Sequence, residues 1–114
     1  MDSERLVKLA AEAASEVKPT SLVVLDLRGL CTFTNHFLIC SAPSERQVRA
    51  IADKIDERLS AAKIKMLGRE GYKEARWILL DYSDLIVHIF EEETRSYYDL
   101  EHLWGDAPRI QLPT

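Results

Sequence analysis

The sequence predicts one α/β domain spanning residues 1–114, with helices packed on a mixed sheet of about five strands. Three observations carry that prediction. Apolar periodicity switches between helical spacing and short β-like runs, in the order helix, two strands, helix, three strands, helix. A strand–helix–strand unit that feeds a hairpin places parallel and antiparallel neighbours in one sheet. At 114 residues, with 46% hydrophobic and 30% charged side chains, the chain suits a single core that needs no staples.

The elements follow in order. Leu6, Leu9, Ala10, Ala13 and Val17 recur at helical spacing over residues 3–17, with Glu4, Lys8, Glu12 and Glu16 outside, and Pro19 stops the helix. Residues 21–27 read as a buried strand and residues 36–41 as a second, joined by a polar loop that begins at Gly29. Ser44 with Gln47 forms a capping-box pattern, and Val48, Ile51, Ala52, Ile55, Leu59 and Ala62 then trace one stripe. Residues 64–68 read as a short strand, followed by a charged loop over 69–74. Residues 76–80 and 85–90 flank Asp81-Tyr82-Ser83-Asp84, which reads as a hairpin turn. A last helix is expected over residues 92–104.

Fifteen basic against nineteen acidic residues give a net charge of −4, with a pI near 5.4. A chain built to grip phosphates carries a basic face, so this balance argues against bare nucleic acid, DNA included, and suits a basic protein partner. Cys31 and Cys40 are the only cysteines and form no C-x-x-C pair. Cys40 reads as a buried free thiol. With no secretory signal and no apolar run approaching the ~20 residues that span a bilayer, a cytoplasmic protein with no membrane segment is expected.

No catalytic set is visible. Asp81 and Asp84 flank a turn and Glu91 to Glu93 run together, whereas acid–base or two-metal chemistry needs carboxylates that converge on one cavity. His36, His88 and His102 are far apart and lack ligand spacing; His88, on a strand, reads as a hydrogen-bonded structural residue. No phosphate-cradling glycine loop occurs, and Ser44 is explained by capping. Neither a metal nor a cofactor is expected. The aromatics say more. On a helix over 92–104, Tyr97, Leu100 and Trp104 share a face that can pack on the sheet, while Tyr98 points away. Trp77 and Leu79 alternate with Ile78 and Leu80 along one strand. Covering both sheet faces needs more helix than the chain has, which leaves an apolar strip near Trp77, Leu79 and Tyr98. Core or edge packing explains these residues equally well; the functional reading is a protein-binding patch.

Residues 37–41, Ser44 with 47–53, Glu70-Gly71, 75–84 and 87–90 form a pattern in register. Arg95, Tyr98-Asp99-Leu100-Glu101 and Leu103-Trp104-Gly105-Asp106-Ala107 extend it. In this pattern the chain closely resembles the ribosomal silencing factor family (RsfS, Iojap-like). The resemblance implies a nucleotidyltransferase-like topology without the activity. Where those enzymes carry a Gly-Ser pair followed by Asp-x-Asp, this chain has Ala42-Pro43-Ser44 and no Asp-x-Asp. It implies a non-enzymatic translational repressor, a homodimer, that binds the large ribosomal subunit through ribosomal protein uL14. The bound domain would block joining of the small subunit and damp translation when nutrients fall. Asn35, where the family often has Asp, and Ala42-Pro43, where it often has Gly-Thr, depart from the pattern. Taken together, the residues expected to carry recognition are Trp77, Leu79, Asp81, Tyr82, Arg95 and Tyr98, with an internal tether for the acidic tail as a second reading of Arg95. Two other classes stay open: an RNA-binding accessory domain in ribosome assembly, marked by salt-steep binding to naked RNA, and a residual nucleotidyltransferase-like enzyme, marked by metal-dependent nucleotide binding.

Overall fold

Local signals place the two long helices. The computed structural model describes residues 3–95 and 109–110. Helix α1 runs Ser3–Glu16 and α2 runs Glu45–Ala61. The Ser44 hydroxyl oxygen accepts the Gln47 N–H at 3.2 Å and donates to Gln47 Oε1 at 3.4 Å, so the capping pair satisfies an amide that the first turn leaves unbonded. At the far end Lys63 adopts φ +63. Its N–H reaches Ser60 O, and the Ile64 N–H reaches Leu59 O. This is the Schellman arrangement, here with lysine where glycine is usual.

The strands are β1 (Ser21–Asp26), β2 (His36–Ala42), β3 (Gly68–Glu70), β4 (Trp77–Asp81), β5 (Leu85–Glu91) and β6 (Arg109–Ile110), with a short helix α3 at Glu92–Arg95. They form one sheet in the order β3-β4-β5-β2-β1-β6. β2 and β5 pair in parallel, and every other pairing is antiparallel. The mixed α/β sheet expected from the sequence is therefore present. Its sixth strand, β6, is a two-residue edge against Val24 and Leu25, too short to leave a periodic signal.

One expected strand moves. Ile64 and Met66 do turn inward onto the core, but the ladder begins only at Gly68, opposite Asp81. β4 ends at Asp81, so residues 64–66 have no strand to pair with, and β3 occupies residues 68–70 instead of 64–68. The expected helix over 92–104 is described only as far as Arg95; Tyr97, Leu100, Leu103 and Trp104 lie outside the described residues.

The two sheet faces carry different cores. Leu38, Cys40, Ile78, Leu80, Val87 and Ile89 face α1 and α2, where they meet Leu6, Ala10, Ile51, Ile55 and Leu59. Burial of each large aliphatic there contributes roughly 1.5–3 kcal/mol. The opposite face gathers Leu25, Leu27, Phe37, Ile39 and Phe90, with Trp77 and Ile86 packed at the margin. Every residue of β2 is buried, on both faces, as its central position demands.

Candidate partner-binding face

β4 sorts its residues by alternation. Ile78 and Leu80 are fully buried beneath the helices, whereas Trp77, Leu79 and Asp81 are half-buried on the opposite face. The strip expected from the sequence thus has its β4 members side by side. Tyr82 does not join them. The hairpin continues past Asp81, with the Tyr82 N–H bonded to Leu85 O, so Tyr82 keeps the alternation of Ile78 and Leu80 and turns under the helices. It is only 4% exposed, and its hydroxyl donates to Asp56 Oδ1 of α2 at 3.2 Å. Burial, with Asp56 adding to it, pushes the phenol well above its ordinary value. The expectation that Tyr82 carries recognition is therefore corrected: it is a core residue. Arg95 closes α3, and its side chain, like the whole of Tyr98, lies outside the described residues.

The turn consumes part of its own acidity. Asp81 Oδ1 accepts the Ser83 N–H at 2.8 Å, which holds Ser83 at φ +71. The backbone carbonyl of Asp84 accepts from the N–H groups of both Asn35 and His36, tying the turn to the start of β2. The Asp84 side chain is exposed.

Trp77 is held by its strand neighbours. In the β4–β5 register Trp77 lies opposite Phe90 and Leu79 opposite His88. The Trp77 and Phe90 rings stack with centroids 4.9 Å apart. His88, diagonal to Trp77, accepts the indole Nε1–H on Nδ1 at 3.1 Å. Phe37 meets the imidazole edge-on at 4.6 Å. Burial alone lowers the His88 pKa to about 4, so the ring is neutral at physiological pH and Nδ1 is free to accept. The hydrogen-bonded structural role read for His88 from the sequence is present; its link to Trp77 was not read, because only the hairpin register brings the two residues together.

The loop before β4 is fixed from the other side. Arg49 donates to the carbonyls of Tyr72, at 3.0 Å, and of Lys73. The Tyr72 hydroxyl donates to Asp53 at 2.9 Å, and the Arg69 guanidinium lies 4.0 Å over the Tyr72 ring. Gly71, at φ +79, passes so close to Trp77 that a Cβ there would sit 2.1 Å from the Trp77 carbonyl oxygen. A second polar cluster lies at the start of β2. Arg28 grips the Asp26 carboxylate at 2.7 and 2.9 Å, holding it at about pKa 2. The fully buried His36 stands 3.9 Å from Asp26, and burial lowers its pKa.

Among the described residues no group of three or more His, Cys, Asp or Glu side chains is placed to hold a metal ion. No helix there is long and apolar enough to cross a membrane. The Cys40 side chain is buried and that of Cys31 is partly exposed.

A family model described as "Ribosomal silencing factor during starvation" matches residues 1–114. This chain belongs to the ribosomal silencing factor family. The Ribosomal silencing factor RsfS of Halalkalibacterium halodurans is 40% identical over 112 residues, covering 98% of this chain and 96% of that protein. The Bacillus subtilis protein of the same name is 40% identical over 112 residues, covering 98% and 95%. A chloroplastic Iojap protein of Zea mays is 38% identical over 90% of this chain, which spans 45% of that longer protein. A crystal structure of a Chromobacterium violaceum protein superposes with a TM-score of 0.89 at 32% identity, covering all of this chain and 92% of that one. The sequence departures from the family pattern fall on structural positions. Ala42 is the buried last residue of β2, and Asn35 is engaged through its backbone.

Proposed function

We propose that this protein is a translational repressor of the cytoplasm. It binds the large ribosomal subunit through ribosomal protein uL14 and blocks joining of the small subunit, damping translation when nutrients fall. The observation that carries the reading is the match to the silencing-factor family over the whole chain, and the names of its relatives point the same way. The mechanism is steric and needs no catalytic group: a folded domain seated on the joining surface excludes the other subunit. Trp77 and Leu79 supply apolar anchoring area. Asp81 and Asp84, on a chain of net charge −4, suit a basic ribosomal protein and speed encounter with it. A homodimer belongs to the same proposal.

The test uses purified protein and separated ribosomal subunits, with association followed by light scattering. Joining is expected to fall in proportion to the protein added, and the protein to co-sediment with the large subunit alone. Unchanged joining with no co-sedimentation would overturn the proposal.

A further inference from the structure

The hydrogen bond between Trp77 and His88 has a consequence for how Trp77 meets a partner. Indole carries a single polar group, the Nε1–H donor. Here that donor is directed into the sheet face, onto Nδ1 of His88 at 3.1 Å. The acceptor is itself immobilised: His88 is 4% exposed, meets Phe37 edge-on at 4.6 Å and lies nearly parallel to Phe90, with centroids 6.4 Å apart and planes 12° apart. Trp77 in turn stacks on Phe90. Among the described residues, β5 thus holds this partly exposed tryptophan with a directional bond and a ring stack.

We propose that His88 is a positioning residue for partner binding: it takes up the indole N–H and fixes the ring, so that Trp77 presents carbon surface rather than a hydrogen-bond donor. The inference rests on the β4-face reading given under Proposed function. It specifies the chemistry of the facing group, which is an apolar side chain or a cation over the ring, and not a carbonyl or carboxylate acceptor. Fixing the ring beforehand also removes the rotamer freedom that Trp77 would otherwise lose on binding. Because Nδ1 accepts, the imidazole proton is on Nε2. That atom is buried and finds no hydrogen-bond partner among the described residues, so the Trp77 bond is the one that selects the tautomer.

The test begins on the unmodified, 15N-labelled full chain at neutral pH. A long-range 1H–15N spectrum is expected to show His88 with a bare Nδ1 and a protonated Nε2, and a coupling across the hydrogen bond to Trp77 Nε1. The opposite tautomer overturns the proposal. Large-subunit affinity is then measured for His88→Phe, Trp77→Phe, the pair together and Trp77→Ala. His88→Phe is expected to shift the Trp77 indole resonance and weaken binding about fivefold, the loss of one hydrogen bond's worth of positioning. Added to Trp77→Phe it is expected to cost nothing further, since no N–H is left to hold. Additive losses, or a His88→Phe protein with both resonance and affinity unchanged, overturn the positioning role while Trp77→Ala still weakens binding. If Trp77→Ala binds like the unmodified protein, the β4-face reading fails instead. Should His88→Phe not fold, the tautomer and coupling on the unmodified chain decide the matter alone.

Discussion

The two faces of one sheet are built on different principles. Beneath α1 and α2 the contacts are aliphatic and closed: Leu38, Ile78, Leu80, Val87 and Ile89 are buried to the last few square ångströms, and Tyr82 enters with its hydroxyl tied to Asp56. The opposite face is aromatic and polar-stitched. Phe37, His88 and Phe90 form its floor, and Trp77 and Leu79 are left half-open at its margin. Nondirectional packing suits a face whose task is stability. Directional contacts, a ring stack and an N–H to imidazole bond, suit a face that must hold a side chain in one pose while water still reaches it. If the proposed function holds, adjacent residues of β4 serve separate ends, and substitutions at neighbouring positions should part stability from binding.

The largest expected effect is on the closed face. Ile78→Ala removes a fully buried side chain and should cost about 2–5 kcal/mol in chemical denaturation, with subunit affinity little changed for the fraction that folds. If the loss is under about 1 kcal/mol, the helix-covered face is not the main source of stability.

Acid should expose the open face next. His88 is neutral in the fold, with a pKa of about 4 against 6.5 for the free side chain. Between those values the unfolded chain binds a proton that the native state refuses, so stability falls as pH drops from 6.5 to 4 and the contribution then levels off. The full loss is about 3 kcal/mol. His36 shifts in the same direction, whereas Asp26, held at about pKa 2, loses its contribution only below its ordinary value of 3.8. Denaturation midpoints across pH 4–7 should therefore slope steeply in the native protein and less so in His88→Phe. Equal slopes would remove His88 from the account.

Gly71→Ala joins the two faces through the backbone. It forces a left-handed residue against the Trp77 carbonyl and should cost about 1–3 kcal/mol, with the Trp77 indole resonance displaced. The smallest effect is distant from both. Lys63→Gly relieves the left-handed lysine that ends α2 and should add about 0.5–1 kcal/mol without altering subunit binding.

Much of this arrangement is legible in the sequence where the signal is local. The Ser44–Gln47 cap and the stripe from Val48 to Ala62 define α2 within a residue, because capping and helical period act over a few positions; Ala62 is the cap that follows its last residue. The alternation of Trp77 and Leu79 against Ile78 and Leu80 places β4 correctly for the same reason. What is not legible depends on partners distant in sequence. Asp-Tyr-Ser-Asp reads as an exposed turn, yet the bond from the Tyr82 N–H to Leu85 O carries the strand alternation one residue further and buries the ring. Ile64-Lys65-Met66 alternates like a strand, and only the end of β4 at Asp81 denies it a ladder. The Trp77–His88 bond spans eleven residues and follows from a register that sets Asp81 opposite Ile86. A four-residue turn over 81–84 would set Trp77 directly opposite His88, whereas the observed register sets Trp77 opposite Phe90 and leaves His88 diagonal to it.

The central claim is that the open face of β4 carries the contact with the ribosome. Its most direct test is sedimentation of Trp77→Ala with large ribosomal subunits, alongside circular dichroism of the same sample. The account predicts a folded protein that no longer co-sediments and no longer lowers subunit joining. A folded Trp77→Ala protein that binds and silences like the native chain would contradict it.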